Sequence, residues 1–357
     1  MATKKEEKQF EKERKAAIKA REKRMKELGI ENFLTPEQIK YNKRKKAIGT
    51  VWPVFRAIIL FGLCFIILYP LIFMLSTAFR PNEQMNDPSI VWIPKSFTMS
   101  NINDVMGVMK YKNVPLGENT LLNTIKMNLV ASILQVLTCS ITGYGFARFK
   151  FKGKNLLFAI VILMIIVPPQ ITTIPLYMQF HYFKPKFLGQ LLTMDFKGTG
   201  SLINSGWTMY LPALFANGLR AGLFIFIFRQ FFRGLPKELE DAAYLDGCSP
   251  LYTYVKIMVP NARQSFLTVF LFSIVWYWND YYVSSSFFTN NNTIALMLKN
   301  LNTNLTQQLF DGQTVSVRQI IVWLEAGCLL SITPILIMYV FLQRYFIEGI
   351  EKSGLAN

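Results

Sequence analysis

Residues 236–260 read PKELEDAAYLDGCSPLYTYVKIMVP, a polar stretch set between two strongly apolar segments of the chain. Pro236 suits the first turn of a helix, where its missing N–H breaks no hydrogen bond. Gly247 adopts left-handed backbone angles without a steric penalty, so it is a natural end for that helix. Ser249 and Pro250 then supply the cap and the first position of another helix. The stretch therefore predicts two short helices with a bend between them.

Ala242 and Ala243 give the first of these helices a flat patch that another backbone can approach closely. Two interpretations fit such a helix pair. It is either an ordinary surface connection between two apolar segments or a surface on which a second protein docks. The stretch by itself leaves both interpretations open.

Composition places this stretch in a membrane protein. The chain has 357 residues, of which 52% are hydrophobic and only 17% are charged, whereas soluble domains carry about 25% charged residues. Long apolar runs alternate with short basic loops, which is the pattern of membrane-spanning chains.

The net charge of +17 is compatible with nucleic-acid binding, but its distribution argues against that class of partner. Residues 1–50 contain 16 basic and 8 acidic side chains, and much of the remaining excess lies at the ends of apolar segments. Basic residues beside membrane spans favour the cytoplasmic side and contact with anionic lipid. We therefore expect the lipid bilayer, and no nucleic acid, as a partner.

Six apolar segments follow a charged N-terminal extension at residues 1–50. Each is close to the ~20 residues with which a helix crosses a bilayer, and helices are expected because lipid offers the backbone no hydrogen bonds. The predicted spans are residues 54–78, 121–146, 155–177, 207–231, 264–288 and 320–343. The sequence thus predicts an all-α membrane protein with a transmembrane domain at 51–346, a cytoplasmic loop within it at 233–262, and a tail at 347–357.

Basic residues in the connecting loops predict the topology. The loop at 147–154 has four basic side chains and no acid, so the positive-inside rule places it in the cytoplasm. Residues 229–263 and the tail fall on the same side, and the loops near 79–120, 178–206 and 289–319 fall outside. Both termini and the polar stretch are therefore expected in the cytoplasm, where ATP is.

The sequence contains no motif that predicts catalysis or a bound cofactor. It lacks the Walker A pattern G-x-x-x-x-G-K-[ST], a nucleophile elbow and a zinc-binding helix. His181 is the only histidine, and the four cysteines have no metal-like spacing. We therefore expect no catalytic residue, no metal and no cofactor in this chain.

Three polar residues inside the apolar segments are candidates for the lining of a translocation path: Gln170, Asn279 and Asp280. Acids within spans usually face protein or water, and Pro168-Pro169 should bend or break the third span and shape a cavity. The alternatives are a purely structural hydrogen-bonding role for Asp280 and a kink needed only for packing. No inverted pair of broken helices stands out, which disfavours one architecture of secondary transporters.

The order and spacing within the polar stretch resemble the EAA loop of the membrane subunits of ABC importers. The resemblance rests on Asp241, Ala242, Ala243, Gly247, Ile257, Val259 and Pro260. Asp241 stands where Glu is usual in that family and Val259 where Leu is usual, and both changes are conservative. In that family the loop is where the permease binds the cytoplasmic ATPase that drives it.

Further stretches are similar to the carbohydrate permeases related to the smaller membrane subunit of the maltose transporter. In chain order they are Tyr69–Leu71, Gly143–Arg148, Val167–Pro169, Phe228–Phe232, Trp278–Asp280 and Gln343–Ile347. The resemblance runs from about residue 54 to the C-terminus, and the N-terminal extension lies outside it.

The resemblance implies the fold of type I ABC importer permeases, with six transmembrane helices, in the bacterial cell membrane. It implies a heterodimer with a second permease, a cytoplasmic ABC ATPase that uses the ATP, an extracytoplasmic solute-binding protein, and a sugar or oligosaccharide as solute. The implied ATPase-coupling residues are Glu240, Asp241, Ala242, Ala243, Asp246, Gly247, Ile257 and Pro260. The alternatives are a secondary transporter or channel that acts without an ATPase, and a permease-like scaffold that carries nothing.

Overall fold

The computed structural model describes residues 36–81, 93–182, 201–290, 293–310 and 315–354, together with positions 13, 16, 20, 83, 84 and 87. Within these residues the chain forms helices and no β-strand, which confirms the all-α prediction. Most of the predicted extension, and parts of the three predicted external loops and of the tail, lie outside the described residues.

Two units divide the chain, Met1–Leu71 and Ile72–Asn357. The first contains most of α1, which runs from Pro36 to Ala78. Large apolar side chains such as Phe61 are exposed along α1, as expected for a helix in contact with lipid. Because α1 begins before residue 50, the predicted end of the extension is not a break in the helix.

The second unit contains the remaining helices. They are α2 (Ser100–Val108), α3 (Thr120–Arg148), α4 (Lys154–Ile166), α5 (Pro169–His181), α6 (Trp207–Leu214), α7 (Ala221–Gly234), α8 (Glu238–Leu245), α9 (Pro250–Asn261), α10 (Arg263–Trp278), α11 (Tyr282–Phe287), α12 (Ile294–Lys299), α13 (Leu301–Phe310) and α14 (Val317–Gly354). α9 contains a π-helical segment at Tyr254–Met258. α14 continues through residue 347, so the predicted start of the tail is not a break in the helix either.

Three helices of the described part are long and apolar enough to cross a membrane: Val51–Ala78 within α1, all of α3, and Val317–Gln343 within α14. Two bent pairs meet the same requirement when each is taken together, α4 with α5 at 101° and α9 with α10 at 79°. The described helices therefore supply between three and five candidate spans, and six stays a prediction.

Three of the predicted spans are interrupted. The segment 155–177 breaks before Pro169, as the proline pair predicts. The segments 207–231 and 264–288 also break, so continuous helices are wrong there. In the first of these, Ala216 and Arg220 have φ values of 53° and 59°, which a right-handed helix does not contain.

α3 lies at the centre of the second unit and packs against α6, α7 and α10. Gly143 of α3 lets α7 approach closely, because a Cβ atom there would lie 2.6 Å from Cβ of Phe228. Small residues at such contacts are usual where helices pack within membranes. Phe224, Phe228 and Phe232 of α7 are fully buried. The polar loop connects α7 to α10, and both of these helices pack against α3.

Candidate functional site

The polar stretch folds into the two short helices that its sequence predicts. Gly247 follows α8 with a φ of 79°, the left-handed conformation that ends helices. The Ser249 Oγ accepts a hydrogen bond from the Tyr252 N–H at 3.3 Å, and Pro250 is the first residue of α9. Pro236 precedes α8 and does not lie in its first turn as expected.

An exposed apolar surface surrounds the bend between α8 and α9. We call it the apolar patch, and its members are Tyr244, Leu245, Leu251, Tyr252 and Val255. The side chains of Leu245 and Leu251 are 89% and 69% exposed. The patch belongs to a polar connecting loop and not to one of the candidate spans that are continuous helices. Exposed apolar patches of this kind mark contacts with other proteins.

The predicted coupling residues divide between the two sides of the loop. The exposed members are Asp241, Ala242, Asp246, Gly247 and Pro260. Ile257 is half-buried, whereas Glu240 and Ala243 are buried. The prediction of a flat patch of two alanines is therefore wrong, because Ala243 packs inward and only Ala242 lies on the exposed face.

Glu240 turns inward and contacts α3. Its Oε1 accepts a hydrogen bond from the Tyr144 hydroxyl at 2.7 Å, and its Oε2 lies 3.2 Å from Nε of Arg148. The Arg148 Nη2 also donates to the carbonyl of Leu235 at 2.7 Å. The side chains of Arg148 and Glu240 are only 6% and 9% exposed, so each charge depends on the other for neutralisation. We call Tyr144, Arg148 and Glu240 the clamp.

α9 is attached to the same end of α3. The Tyr254 hydroxyl and the Ser140 Oγ are hydrogen-bonded at 2.6 Å. The Tyr144 ring packs against the rings of Tyr254 and Phe232, with centroid distances of 5.0 and 5.4 Å. Both halves of the loop therefore contact the last turns of α3.

A cavity of about 660 Å³ lies where the interrupted segments meet. Its wall includes the break between α4 and α5, the break between α6 and α7, and the end of α10. Gln170, Asn279 and Asp280 all line it, so the structure brings the three predicted path residues together. Their role in translocation stays a prediction.

Asp280 uses its carboxylate within its own chain. Its Oδ1 accepts from the Val283 N–H at 3.2 Å, and its Oδ2 accepts from the N–H and the hydroxyl of Ser284 at 2.7 and 2.8 Å. These bonds cap α11 in the way that aspartates cap helix N-termini. The geometry matches the structural alternative for this residue and explains why the segment 264–288 breaks.

Side chains from other helices satisfy the backbone at the α6–α7 break. The Gln135 Nε2 donates to the Leu219 carbonyl at 2.5 Å, and the Thr138 Oγ1 donates to the Ala213 carbonyl at 2.7 Å. The Tyr277 hydroxyl donates to the Oε1 of Gln135 at 2.6 Å. Irregular backbone inside a protein persists only where such partners exist.

Sequence reasoning missed both this break and Arg220, which lines the cavity. The signal for the break is Asn217-Gly218 within an apolar segment, since this dipeptide favours turns. The signal for Arg220 is a cation near the middle of the segment 207–231, because ionisable residues within spans are usually functional.

The described residues offer no ready metal site. No three or more His, Cys, Asp or Glu side chains among them come together. His181 stacks on Tyr177 with a centroid distance of 5.6 Å. The absence of a metal and of a cofactor remains a prediction from the sequence.

Comparison with known proteins gives matches to membrane transport subunits. The family described as "Binding-protein-dependent transport system inner membrane component" matches residues 138–352. The arabinooligosaccharides transport system permease protein AraQ of Halalkalibacterium halodurans is 28% identical over 294 residues, which are 82% of this chain and 92% of that protein. The lactose transport system permease protein LacG of Rhizobium radiobacter is 26% identical over 231 residues, 65% of this chain and 73% of that protein.

A solved structure has the same fold. It is the crystal structure of a bacterial ABC transporter involved in the import of the acidic polysaccharide alginate, with a TM-score of 0.61 and 19% sequence identity. The match covers 83% of this chain and 97% of that chain. The region matched by the family, 138–352, includes the polar loop, the α6–α7 break and the whole described cavity wall.

Proposed function

The chain belongs to the family of binding-protein-dependent transport system inner membrane components, and from this premise we propose that it translocates a sugar or oligosaccharide. Members of the family are non-enzymatic, multi-pass subunits of ABC transporters in the plasma membrane, so a separate ATPase hydrolyses the ATP. The family also implies a solute-binding protein as partner. The relatives named for arabinooligosaccharides and lactose support a carbohydrate solute.

The proposal includes an arrangement in the membrane. The chain forms a heterodimer with a second permease, binds no cofactor itself, and has both termini in the cytoplasm. The basic loop at 147–154 supports this orientation. The polar loop then faces the ATPase.

One observation carries the coupling role of the loop, namely the apolar patch at its bend. Leu245 and Leu251 are held away from their own chain by α8 and α9, and burial against a partner would stabilise the complex by about 1.5–3 kcal/mol for each such side chain. The exposed Asp241, Ala242 and Gly247 adjoin the patch in sequence. We therefore assign the patch and these residues to the ATPase contact.

The clamp connects the ATPase contact to α3, so that movement of the loop is passed to that helix. When the ATPase subunits close on ATP, the loop moves with them, and Glu240 carries the displacement to Arg148 and Tyr144 on α3. α3 also holds the α6–α7 break beside the cavity through Gln135. Loop movement thus reaches the cavity wall through one helix, and the spans switch between inward and outward access as a two-state element biased by ATP.

Replacement of Leu245 by Asp tests the coupling role. A carboxylate in the centre of the patch places a charge in an apolar contact, which weakens binding. After purification of the tagged chain in mild detergent, the amount of bound ATPase should be lower by ~10-fold or more. Leu309→Asp is the matched control, because Leu309 is an exposed leucine in a predicted external loop. It should retain the ATPase and the second permease at the wild-type level.

Undiminished ATPase recovery with Leu245→Asp, at equal membrane abundance, would contradict the coupling role. An equal loss in the Leu309→Asp control would contradict it as well. The α6–α7 break also suits a secondary transporter, since broken helices are typical of that class. Transport by this chain alone in liposomes, driven by an ion gradient, would favour that second candidate.

A further inference from the structure

Arg220 is a charged residue in an unusual place. It lies at the α6–α7 break, near the middle of an apolar segment, and it is exposed where it lines the cavity. Its φ of 59° is left-handed, which costs a residue with a side chain about 1 kcal/mol. A cation in the middle of an apolar segment is also unfavourable unless it faces water or a polar partner. Two unfavourable features at one residue indicate a functional constraint.

The guanidinium of Arg220 is oriented by an aromatic ring. Its Cζ lies 4.3 Å from the centre of the Trp276 ring. A cation–π contact of this kind does not occupy the N–H donors, and the Arg220 side chain makes no hydrogen bond to another described residue. Arg220 makes no ion pair with a residue that the structure describes. The side chain is therefore held in position with its donors open to the cavity.

Asp280 does not take the role of counter-ion. It is the one acid among the described residues of the cavity wall, and its two oxygens accept three hydrogen bonds from Val283 and Ser284. The carboxylate of Asp280 is thus engaged at the start of α11. The positive charge of Arg220 has no equivalent partner in the described part of the chain.

We propose that Arg220 binds the carboxylate of an acidic sugar in the cavity, so that this subunit contacts the solute itself and selects uronate-containing carbohydrates. The edge of a guanidinium matches a carboxylate with two parallel N–H···O bonds. Gln170 and Asn279 supply amide groups for sugar hydroxyls, and Trp276 and Tyr282 supply apolar faces in the same wall. The inference rests on the proposed sugar import and adds the charge of the solute.

The test uses the whole importer, purified with its partners from the native membrane and reconstituted with ATP in liposomes. The probes are mixed uronate oligosaccharides from pectate, alginate and glucuronoxylan, and the same mixture after chemical reduction of its carboxyl groups. The wild-type importer should take up the acidic mixture in preference to the reduced one. Arg220→Gln should lower uptake of the acidic mixture by about 10- to 100-fold, the usual range for a lost hydrogen-bonded charge.

Two variants separate binding from folding. Arg220→Lys keeps the charge but loses the fork, so it should retain part of the preference for acidic over reduced sugars. Arg318→Gln removes an exposed arginine at the start of α14, outside the cavity wall, and should behave like the wild type. Membrane abundance and the amount of bound ATPase should stay equal in all variants.

Each contrary result has its own meaning. Preference of the wild type for the reduced mixture, or wild-type uptake of the acidic mixture by Arg220→Gln, would overturn the inference and leave the sugar importer intact. Failure of the wild-type assembly to take up either mixture or any neutral oligosaccharide would instead contradict the proposed function.

Discussion

The polar loop and the cavity each contain a charged residue among apolar neighbours, but only the charge in the loop has a partner of opposite charge in the described part of the chain. In the loop, Glu240 and Arg148 neutralise each other inside the protein. In the cavity wall, the guanidinium of Arg220 lies over the Trp276 ring and makes no ion pair with a described residue. A charge that is neutralised by its own chain fixes the position of a helix, whereas a charge without such a partner is available to a ligand. On the proposed function, the first arrangement suits transmission of movement and the second suits recognition of a solute.

The largest effect on stability should come from breaking the buried ion pair between Glu240 and Arg148. Glu240→Ala leaves the buried guanidinium of Arg148 without its carboxylate, and breaking a buried pair in this way costs about 3–5 kcal/mol. We expect a markedly lower midpoint of thermal unfolding in detergent, together with uptake that no longer follows ATP hydrolysis. The amount of ATPase bound should change little, because Glu240 does not lie on the open face.

A double variant provides the control for this prediction. Glu240→Leu with Arg148→Met removes both charges, and replacing a whole buried pair by apolar side chains is often neutral or stabilising. The double variant should therefore unfold at a higher temperature than Glu240→Ala. Equal instability of the two would show that the charge pair is not what holds α8 on α3.

The two regions also differ in how far their sequence predicts them. The bend of the loop depends on Gly247, Ser249 and Pro250, whose effects act within a few residues. The α6–α7 break depends on Gln135, which bonds the carbonyl of Leu219 from 84 positions away. The pair Asn217-Gly218 is a local signal that the segment 207–231 can break, but periodicity does not reveal the long-range contact that holds the break.

Glu240 shows the same limit within the loop itself. It is one of several acids in a polar stretch, and the resemblance implies for it only a role in coupling to the ATPase. Its partners Tyr144 and Arg148 lie on α3, with Tyr144 96 positions away. The path residues Gln170, Asn279 and Asp280 could be selected because polarity inside an apolar segment is itself a local signal.

A smaller effect is expected at Asp280, where the charge supports a helix and not a solute. Asp280→Ala removes a helix cap and should cost about 1–2 kcal/mol of stability, measured by thermal unfolding of the purified importer. Asp280→Asn keeps an oxygen acceptor and should recover part of that loss. Its uptake ratio of acidic to reduced sugars should equal that of the wild type, and a changed ratio would assign Asp280 to the binding site as well.

The smallest change in stability should come from Gly247, and it separates the fold of the loop from its docking surface. No atom lies within 4 Å of a Cβ atom built on Gly247, so a side chain there meets no neighbour in its own chain. The cost arises from its φ of 79° and should be about 1 kcal/mol for both Gly247→Ala and Gly247→Arg.

Only the arginine at this position adds bulk beside the apolar patch. Gly247→Ala should therefore keep the ATPase bound and sugar uptake near normal, whereas Gly247→Arg should lose both while still inserting in the membrane. If the two variants behave alike, backbone conformation and not surface contact limits coupling, and the patch loses its assignment as the ATPase contact.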